Sequence, residues 1–226
     1  AYHTKKCLHI MKKLLASLAI FASLSTPALA DPEIEKWKTY HAMGCMMMQD
    51  CTDGVEEITK WQDLGENFEP FSDELELLIS EMNKMGVKIY LADDKYFYAL
   101  TRGLYYVKDN NMFLNKKYLT NALMMTKVVR HEAWHATQDC MAGTIDNTFT
   151  AVILQDGVVP DWIKDGAERT YPANAAPYEA EAMWAAFNPE LVVKGVQACA
   201  GDTPMWKVFE PTPLTKQWLV EEGYYK

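Results

Sequence analysis

Basic residues are scarce in this chain of 226 residues, in which 22 Lys and Arg stand against 31 Asp and Glu. The first 30 residues hold four of the lysines and no acid, so residues 31–226 carry 18 bases, 31 acids and a net charge of −13. A chain this acidic is poorly suited to phosphate backbones and to anionic membrane surfaces. The composition therefore argues against nucleic acid as a partner.

Long apolar runs are also lacking. The run at residues 14–24 covers about 11 residues, whereas a transmembrane helix needs about 20. Met11-Lys12-Lys13 precedes this run, and a stretch that ends in Ala28-Leu29-Ala30 follows it. This order of basic, apolar and small residues is typical of a secretory signal peptide, and a buried N-terminal helix is the alternative.

We therefore expect a signal peptide over residues 1–30, in which 1–10 are an over-extended start before Met11. Residues 31–226 are expected to form a single mature domain without a permanent membrane span. The expected location of that domain is secreted or periplasmic.

The chain has no Cys-x-x-Cys pair, which argues against a zinc site made of four cysteines. Cys7 lies in the expected signal peptide, and the four cysteines that remain are an even number in an exported chain. Cys45 and Cys51 close the shortest loop, which leaves Cys140 and Cys199 as a long-range disulfide. Four buried free thiols are the alternative.

Apolar periodicity predicts an α+β fold that is mainly helical, with a small β-sheet upstream of one long helix. Helices are predicted at residues 34–62 (with a turn near 51–54), 72–85, 118–141, 175–187 and 189–199. Strands are predicted at residues 87–91, 96–98, 103–107 and 112–114. Residues 144–174 are expected to be irregular, because Pro160, Gly166 and Pro172 interrupt them.

Histidine is rare after residue 30, where only His41, His131 and His135 occur. His131 and His135 belong to a His-Glu-x-x-His motif on the long helix, so both imidazoles project from the same face. Two histidines at this spacing can bind one zinc ion, and Glu132 is placed to take a proton from a water that the ion activates. The alternative interpretation is that His131 and His135 are ordinary helix residues that bind no metal.

A catalytic zinc site usually has a third protein ligand. No histidine follows His135, and the long metzincin motif would need Gly and His where the chain has Gln138 and Met141. We therefore expect the third ligand to be a carboxylate on another helix. Asp139 lies on the same face as His135 and is expected to orient an imidazole N–H or a neighbouring backbone group.

Glu179 and Glu181 are the best candidates for the third ligand. They lie about 200° apart on a helical wheel, so only one of them can face the ion. Glu179 is preferred and Glu181 is the alternative, because the residues that share a face with Glu179 are all apolar: Ala175, Ala176, Ala182, Met183, Ala186 and Phe187. Three acids in the irregular segment are weaker candidates: Asp161, Asp165 and Glu168.

The stretch from Val128 to Gly143 resembles the active-site helix of thermolysin-like gluzincins, a family of zinc peptidases. The likeness extends beyond the histidines to Ala136, Asp139 and the closing Ala-Gly. It implies a zincin-like active-site helix, a ligand Glu on a following helix, which Glu179 matches, and an edge strand that aligns the substrate, which residues 103–114 could supply. Many gluzincins have an acid four residues after the ligand Glu, where this chain has Met183.

The sequence thus predicts an exported zinc-dependent peptidase with one zinc ion bound by His131, His135 and Glu179, and with Glu132 as general base. The expected partner is a peptide or protein substrate. A zinc hydrolase of a non-peptide amide, such as a cell-wall link, is a rival reading. Another is a secreted binding protein with a structural zinc site, although a structural site needs no base such as Glu132.

Overall fold

The computed structural model describes residues 32–141, 145 and 149–225, and within them the chain has the predicted α+β fold. The predicted signal peptide and the helix-ending Gly143 lie outside the described residues. The α-helices are α1 (Pro32–Met47), α2 (Ser72–Lys84), α3 (Ala122–Asp139), α4 (Asp161–Thr170), α5 (Ala176–Ala186), α6 (Pro189–Ala200), α7 (Met205–Val208) and α8 (Pro213–Glu221). The 3-10 helices are Trp61–Leu64, Glu66–Phe71, Asp94–Tyr96 and Lys116–Tyr118.

The described part of the chain forms one small mixed β-sheet upstream of α3. Its strands are β1 (Val55–Ile58), β2 (Lys88–Ala92), β3 (Gly103–Tyr106) and β4 (Asn111–Asn115), in the order β1-β2-β4-β3. β1 pairs with β2 and β3 pairs with β4 in antiparallel fashion, whereas β2 and β4 run parallel. β3 is therefore an edge strand.

Both faces of the sheet are buried. Successive residues of a strand point to opposite sides, so each strand contributes side chains to both faces. On one face, Ile89 and Leu91 of β2 belong to the main apolar cluster, to which α2 and α3 also contribute. On the other face, Tyr90 of β2 packs in a second cluster with Met43 and Met46 of α1. The sheet therefore lies between α1 on one side and α2 and α3 on the other.

α3 lies at the centre of the fold, because it contacts the sheet, α2, α5 and α6. The helix begins at an Asn121 cap, whose side chain accepts a hydrogen bond from the Met124 N–H. On α6, Gly195 permits a close approach: a Cβ there would lie 2.7 Å from the Thr137 Cγ2 and 3.1 Å from the Trp134 ring. This packing buries the side of α3 that carries Trp134 and Thr137.

Some predicted elements were wrong. The turn predicted near 51–54 is confirmed, with Gly54 at φ +76°, but the chain does not return to the helix predicted up to residue 62. The helix ends at Met47, and β1 follows the turn, with Val55 paired with Ala92. The strand predicted at 96–98 gives way to a 3-10 turn, in which the Tyr96 hydroxyl donates to the Asp53 carbonyl.

The segment 144–174 contains a helix that the prediction missed. α4 has Pro160 at its N-cap, and Ile163 and Ala167 form a buried pair four residues apart. Such a short apolar stripe is a weak sequence signal, and α4 is stabilised instead by its packing on α5.

Both predicted disulfides are confirmed. Cys45 and Cys51 are bonded with a Cα–Cα distance of 5.2 Å, and Cys140 and Cys199 with 5.9 Å. The second disulfide fastens the C-terminal end of α3 to α6. Separately, no helix in the described ranges combines the length and the apolar character needed to span a membrane.

Candidate metal centre

The His-Glu-x-x-His residues are buried in the middle of α3. His131 is 2% exposed, Glu132 1% and His135 9%, and Glu179 on the first turn of α5 is fully buried. Polar groups of this kind are rarely buried unless they are paired or bind a metal. The burial of all four polar side chains indicates a preformed functional site.

Three ligand atoms converge to form a nearly equilateral triangle. The His131 Nε2 lies 3.2 Å from both the His135 Nε2 and the Glu179 Oε2, and the His135 Nε2 lies 3.6 Å from the Glu179 Oε2. A tetrahedral ion that is bonded at about 2.0–2.1 Å separates its ligand atoms by about 3.3 Å. The group could therefore hold a metal ion with little movement of the side chains.

The charges of the three groups are complementary. Burial raises the pKa of the Glu179 carboxyl, but His135 and His131 outweigh burial and hold this pKa at about 2. Burial lowers the pKa of His135, but Glu179 outweighs burial and raises this pKa to about 9. A carboxylate that stays ionised in the interior favours a cation at this point.

Glu132 lies beside this group and points towards β3. Its Oε2 has no hydrogen-bond partner among the described residues, and burial raises its pKa while His131 and His135 lower it. The Tyr105 backbone N–H is one hydrogen-bond donor to this carboxylate. A Cβ at Gly103 would lie 3.1 Å from the Glu132 Oε1, so glycine allows β3 to approach the carboxylate closely.

Glu181, the alternative ligand, lies apart from the histidine nitrogens and anchors a different network. Its carboxylate accepts hydrogen bonds from the Trp134 indole at 3.3 Å, from the Gln138 amide at 2.8 Å, and from the Ile153 and Leu154 backbone N–H groups. Burial nevertheless raises the pKa of Glu181 to about 7. The structure thus brings Glu179, and not Glu181, to the histidines.

Asp139 has a partner different from the predicted one. The Tyr105 hydroxyl donates to the Asp139 Oδ2 at 2.9 Å, and the imidazole of His135 contacts Gln138 instead, with 2.8 Å between Nδ1 and Oε1. The helical periodicity placed Asp139 on a buried face, but β3 packs against that position. The three weaker candidates lie exposed on α4, outside the group: Asp161, Asp165 and Glu168.

Sequence reasoning also missed Gln138 and Arg130. The Arg130 guanidinium binds both carboxylate oxygens of Glu74 on α2, at 2.5 and 2.6 Å, and donates to the Ala186 carbonyl at the end of α5. The ion pair fastens α3, which carries the histidines, to α2, and the hydrogen bond to Ala186 fastens α3 to α5, which carries Glu179. Gln138 could have been noticed as the residue one helical turn after His135.

Comparisons with models of protein families, with curated proteins and with solved structures find no match to this chain. The likeness to gluzincins is therefore carried by the stretch 128–143 and by the Glu179 position alone. The geometry of the buried group is therefore the main indication of what the protein does.

Proposed function

We propose that the protein is an exported zinc-dependent peptidase of the gluzincin type. One observation supports this proposal most strongly. The buried side chains of His131, His135 and Glu179 could hold a metal ion, and Glu132 lies beside them with a carboxylate oxygen that has no hydrogen-bond partner among the described residues. Two imidazoles and one carboxylate form a donor set that suits zinc, and three protein ligands leave a coordination position open. The two disulfides are consistent with export to an oxidising compartment.

The chemistry is divided between the ion and the protein. When bound, zinc acts as a Lewis acid and lowers the pKa of a water towards about 7. Glu132 accepts the proton of the attacking water and then donates it to the leaving amine of the cleaved peptide. The buried setting of Glu132 raises its pKa, which suits a group that must both take and return a proton.

A second candidate function is supported by the depth of the site. The side chain of His135 is 11% exposed, while those of His131 and Glu179 are 2% and 1% exposed. A structural zinc ion in a secreted binding protein would suit such burial. The partnerless Glu132 oxygen favours the peptidase, because a structural site gains nothing from a buried base.

The test measures metal content and turnover on the same preparation. We expect one zinc per chain, cleavage within a broad peptide library, loss of cleavage with a chelator, and recovery when zinc is returned. Zinc without peptide cleavage would favour the binding protein, unless cell-wall amides are cleaved, which would favour the rival hydrolase. A chain that binds no zinc would contradict the whole proposal.

A further inference from the structure

Gln138 connects His135, in the candidate metal centre, to the buried carboxylate of Glu181. It is fully buried on α3, three residues after His135. Its Oε1 lies 2.8 Å from the His135 Nδ1, and its Nε2 lies 2.8 Å from the Glu181 Oε2 and 3.1 Å from the Tyr178 carbonyl oxygen. The side chain therefore bridges His135, a ligand of the proposed metal site, and the Glu181 carboxylate on the neighbouring helix α5.

The partners of Gln138 determine which way its amide points. The Tyr178 carbonyl can only accept a hydrogen bond, and the Glu181 Oε2 accepts hydrogen bonds from other groups as well. The amide NH₂ must therefore face these two oxygens, because the reverse orientation would place three acceptor oxygens together. The Oε1 of Gln138 consequently faces His135.

This orientation determines the hydrogen of His135 in turn. An amide oxygen has no hydrogen to donate, so the His135 Nδ1 must donate to it. In the neutral imidazole the other nitrogen, Nε2, then carries the lone pair. This Nε2 is the atom that lies 3.2 Å from the His131 Nε2 and 3.6 Å from the Glu179 Oε2.

Gln138 is one of several donors to Glu181. The Glu181 carboxylate also accepts hydrogen bonds from the Trp134 indole and from the backbone N–H groups of Ile153 and Leu154. Its position is therefore fixed by main chain as well as by side chains. The Gln138 amide therefore donates to an acceptor that three other donors also hold in place.

We propose that Gln138 is a positioning residue that holds His135 with its hydrogen on Nδ1 and its Nε2 lone pair directed at the metal. Glu181 acts behind it, as the acceptor that orients the Gln138 amide. This inference rests on the proposed metal site and adds to it the residue that sets its affinity. It does not depend on whether the bound metal cleaves peptides.

The experiment compares two substitutions of similar size. Gln138→Met removes the acceptor that faces His135, whereas Gln138→Glu keeps an acceptor there and shares a proton with Glu181. Zinc affinity is measured by competition with a chelator. We expect Gln138→Met to weaken zinc binding by about 10–100-fold, the usual effect of losing a partner of a ligand histidine. Gln138→Glu should keep most of the affinity.

A matched control is Gln155→Met, which makes the same chemical change at an exposed glutamine whose amide donates to the Glu210 carbonyl. Its zinc affinity should equal that of the parent. Parent-like affinity in Gln138→Met would overturn the inference. An equal loss in Gln138→Glu would do so too, because the acceptor would then not be the group that matters.

A second measurement is needed in case Gln138→Met does not fold. ¹⁵N–¹H NMR of the zinc-loaded parent should show a protected Nδ1–H on His135 and coordination through Nε2. Coordination through Nδ1 would overturn the inference whatever the variants do. A parent that binds no zinc contradicts the metal site and this inference together, whereas zinc without peptide cleavage contradicts the peptidase alone.

Discussion

The His131 Nε2 lies 3.2 Å from the Glu179 Oε2, although 48 positions of chain separate the two residues. α3 and α5 pack side by side and bring them together. The neighbouring acid Glu181 lies only two residues from Glu179, yet it contacts Trp134 and Gln138 instead. The two carboxylates therefore have separable roles, which leads to the first prediction.

Glu179→Gln should abolish tight zinc binding, and Glu181→Gln should mainly reduce stability. A neutral amide is a poor replacement for a ligand carboxylate, so the affinity should fall by more than the 10–100-fold or so that the loss of an outer partner costs. Glu181→Gln leaves at least one buried N–H donor without its acceptor, at a cost of about 1–3 kcal/mol. Chelator competition and urea unfolding measure the two effects, and the reverse order would contradict the assignment.

Glu132→Gln should keep the zinc and the fold but lose most of the turnover. An amide cannot accept the proton of the attacking water, and the loss of general base catalysis typically slows a reaction by about 10²–10⁴-fold. The measurement is the peptide cleavage rate at equal zinc content. A variant that cleaves peptides as fast as the parent would show that the mechanism is wrong.

Gly103→Ala should slow cleavage and destabilise the protein by about 1–3 kcal/mol. The added Cβ would lie 2.6 Å from the Val128 Cγ1 and 3.1 Å from the Glu132 Oε1, so it would push β3 away from α3. Gly44→Ala is the control, because a Cβ there meets nothing within 4 Å and lies in a helix. Thermal unfolding and cleavage assays of both variants measure the effect, and equal behaviour would contradict it.

The Asp139→Asn variant should become more stable relative to the parent protein as the pH rises. Burial raises the pKa of the Asp139 carboxyl from 3.8 to about 8, so the folded state prefers the protonated acid. The stability that protonation provides is complete below about pH 4 and is lost as the pH rises through about 8. The asparagine variant has no such loss.

The difference in melting temperature between Asp139→Asn and the parent should therefore increase from pH 5 to pH 9. The exposed Asp165→Asn serves as the control, with no comparable trend. A difference that stays constant across this range would mean that Asp139 does not titrate as inferred. The 2.9 Å hydrogen bond from Tyr105 suits the protonated acid as well, because the hydroxyl can accept and pass its own hydrogen to Asn110.

Removal of the Cys140–Cys199 disulfide should destabilise the protein more than removal of Cys45–Cys51. Their sequence separations are 59 and 6, and the chain-entropy model gives about 4 and about 2 kcal/mol for loops of these sizes. Paired Cys→Ala variants in urea unfolding measure both values. A larger effect from the short loop would contradict the model.

Local geometry made much of the candidate metal site predictable. A helix repeats every 3.6 residues, so the spacing of His131 and His135 places both on one face whatever surrounds them. The same periodicity, applied to the apolar neighbours of Glu179, selected the acid that the structure brings to the histidines. The pairing of Cys45 with Cys51 followed from the short loop between them.

Other elements were not predictable, because distant parts of the chain decide them. β1 carries Glu56 and Glu57 at its centre and becomes a strand only by pairing with β2. A helical wheel with one buried face leaves Glu181 in solvent, yet α5 is buried on both sides, by α3 and by the segment around Ile153.

The sequence by itself predicted that His131 and His135 share one face with Glu132 beside them, since this depends on backbone geometry within one helix. It also predicted that a carboxylate joins them, because no histidine follows His135. Only the tertiary structure decided that the Gln138 amide donates to Tyr178 and Glu181 of α5, that Asp139 pairs with Tyr105 of β3, and that Glu181 accepts from the backbone of Ile153 and Leu154. Each of these contacts joins one element to a distant part of the chain. Its existence depends on how whole helices and strands pack, which no local period encodes.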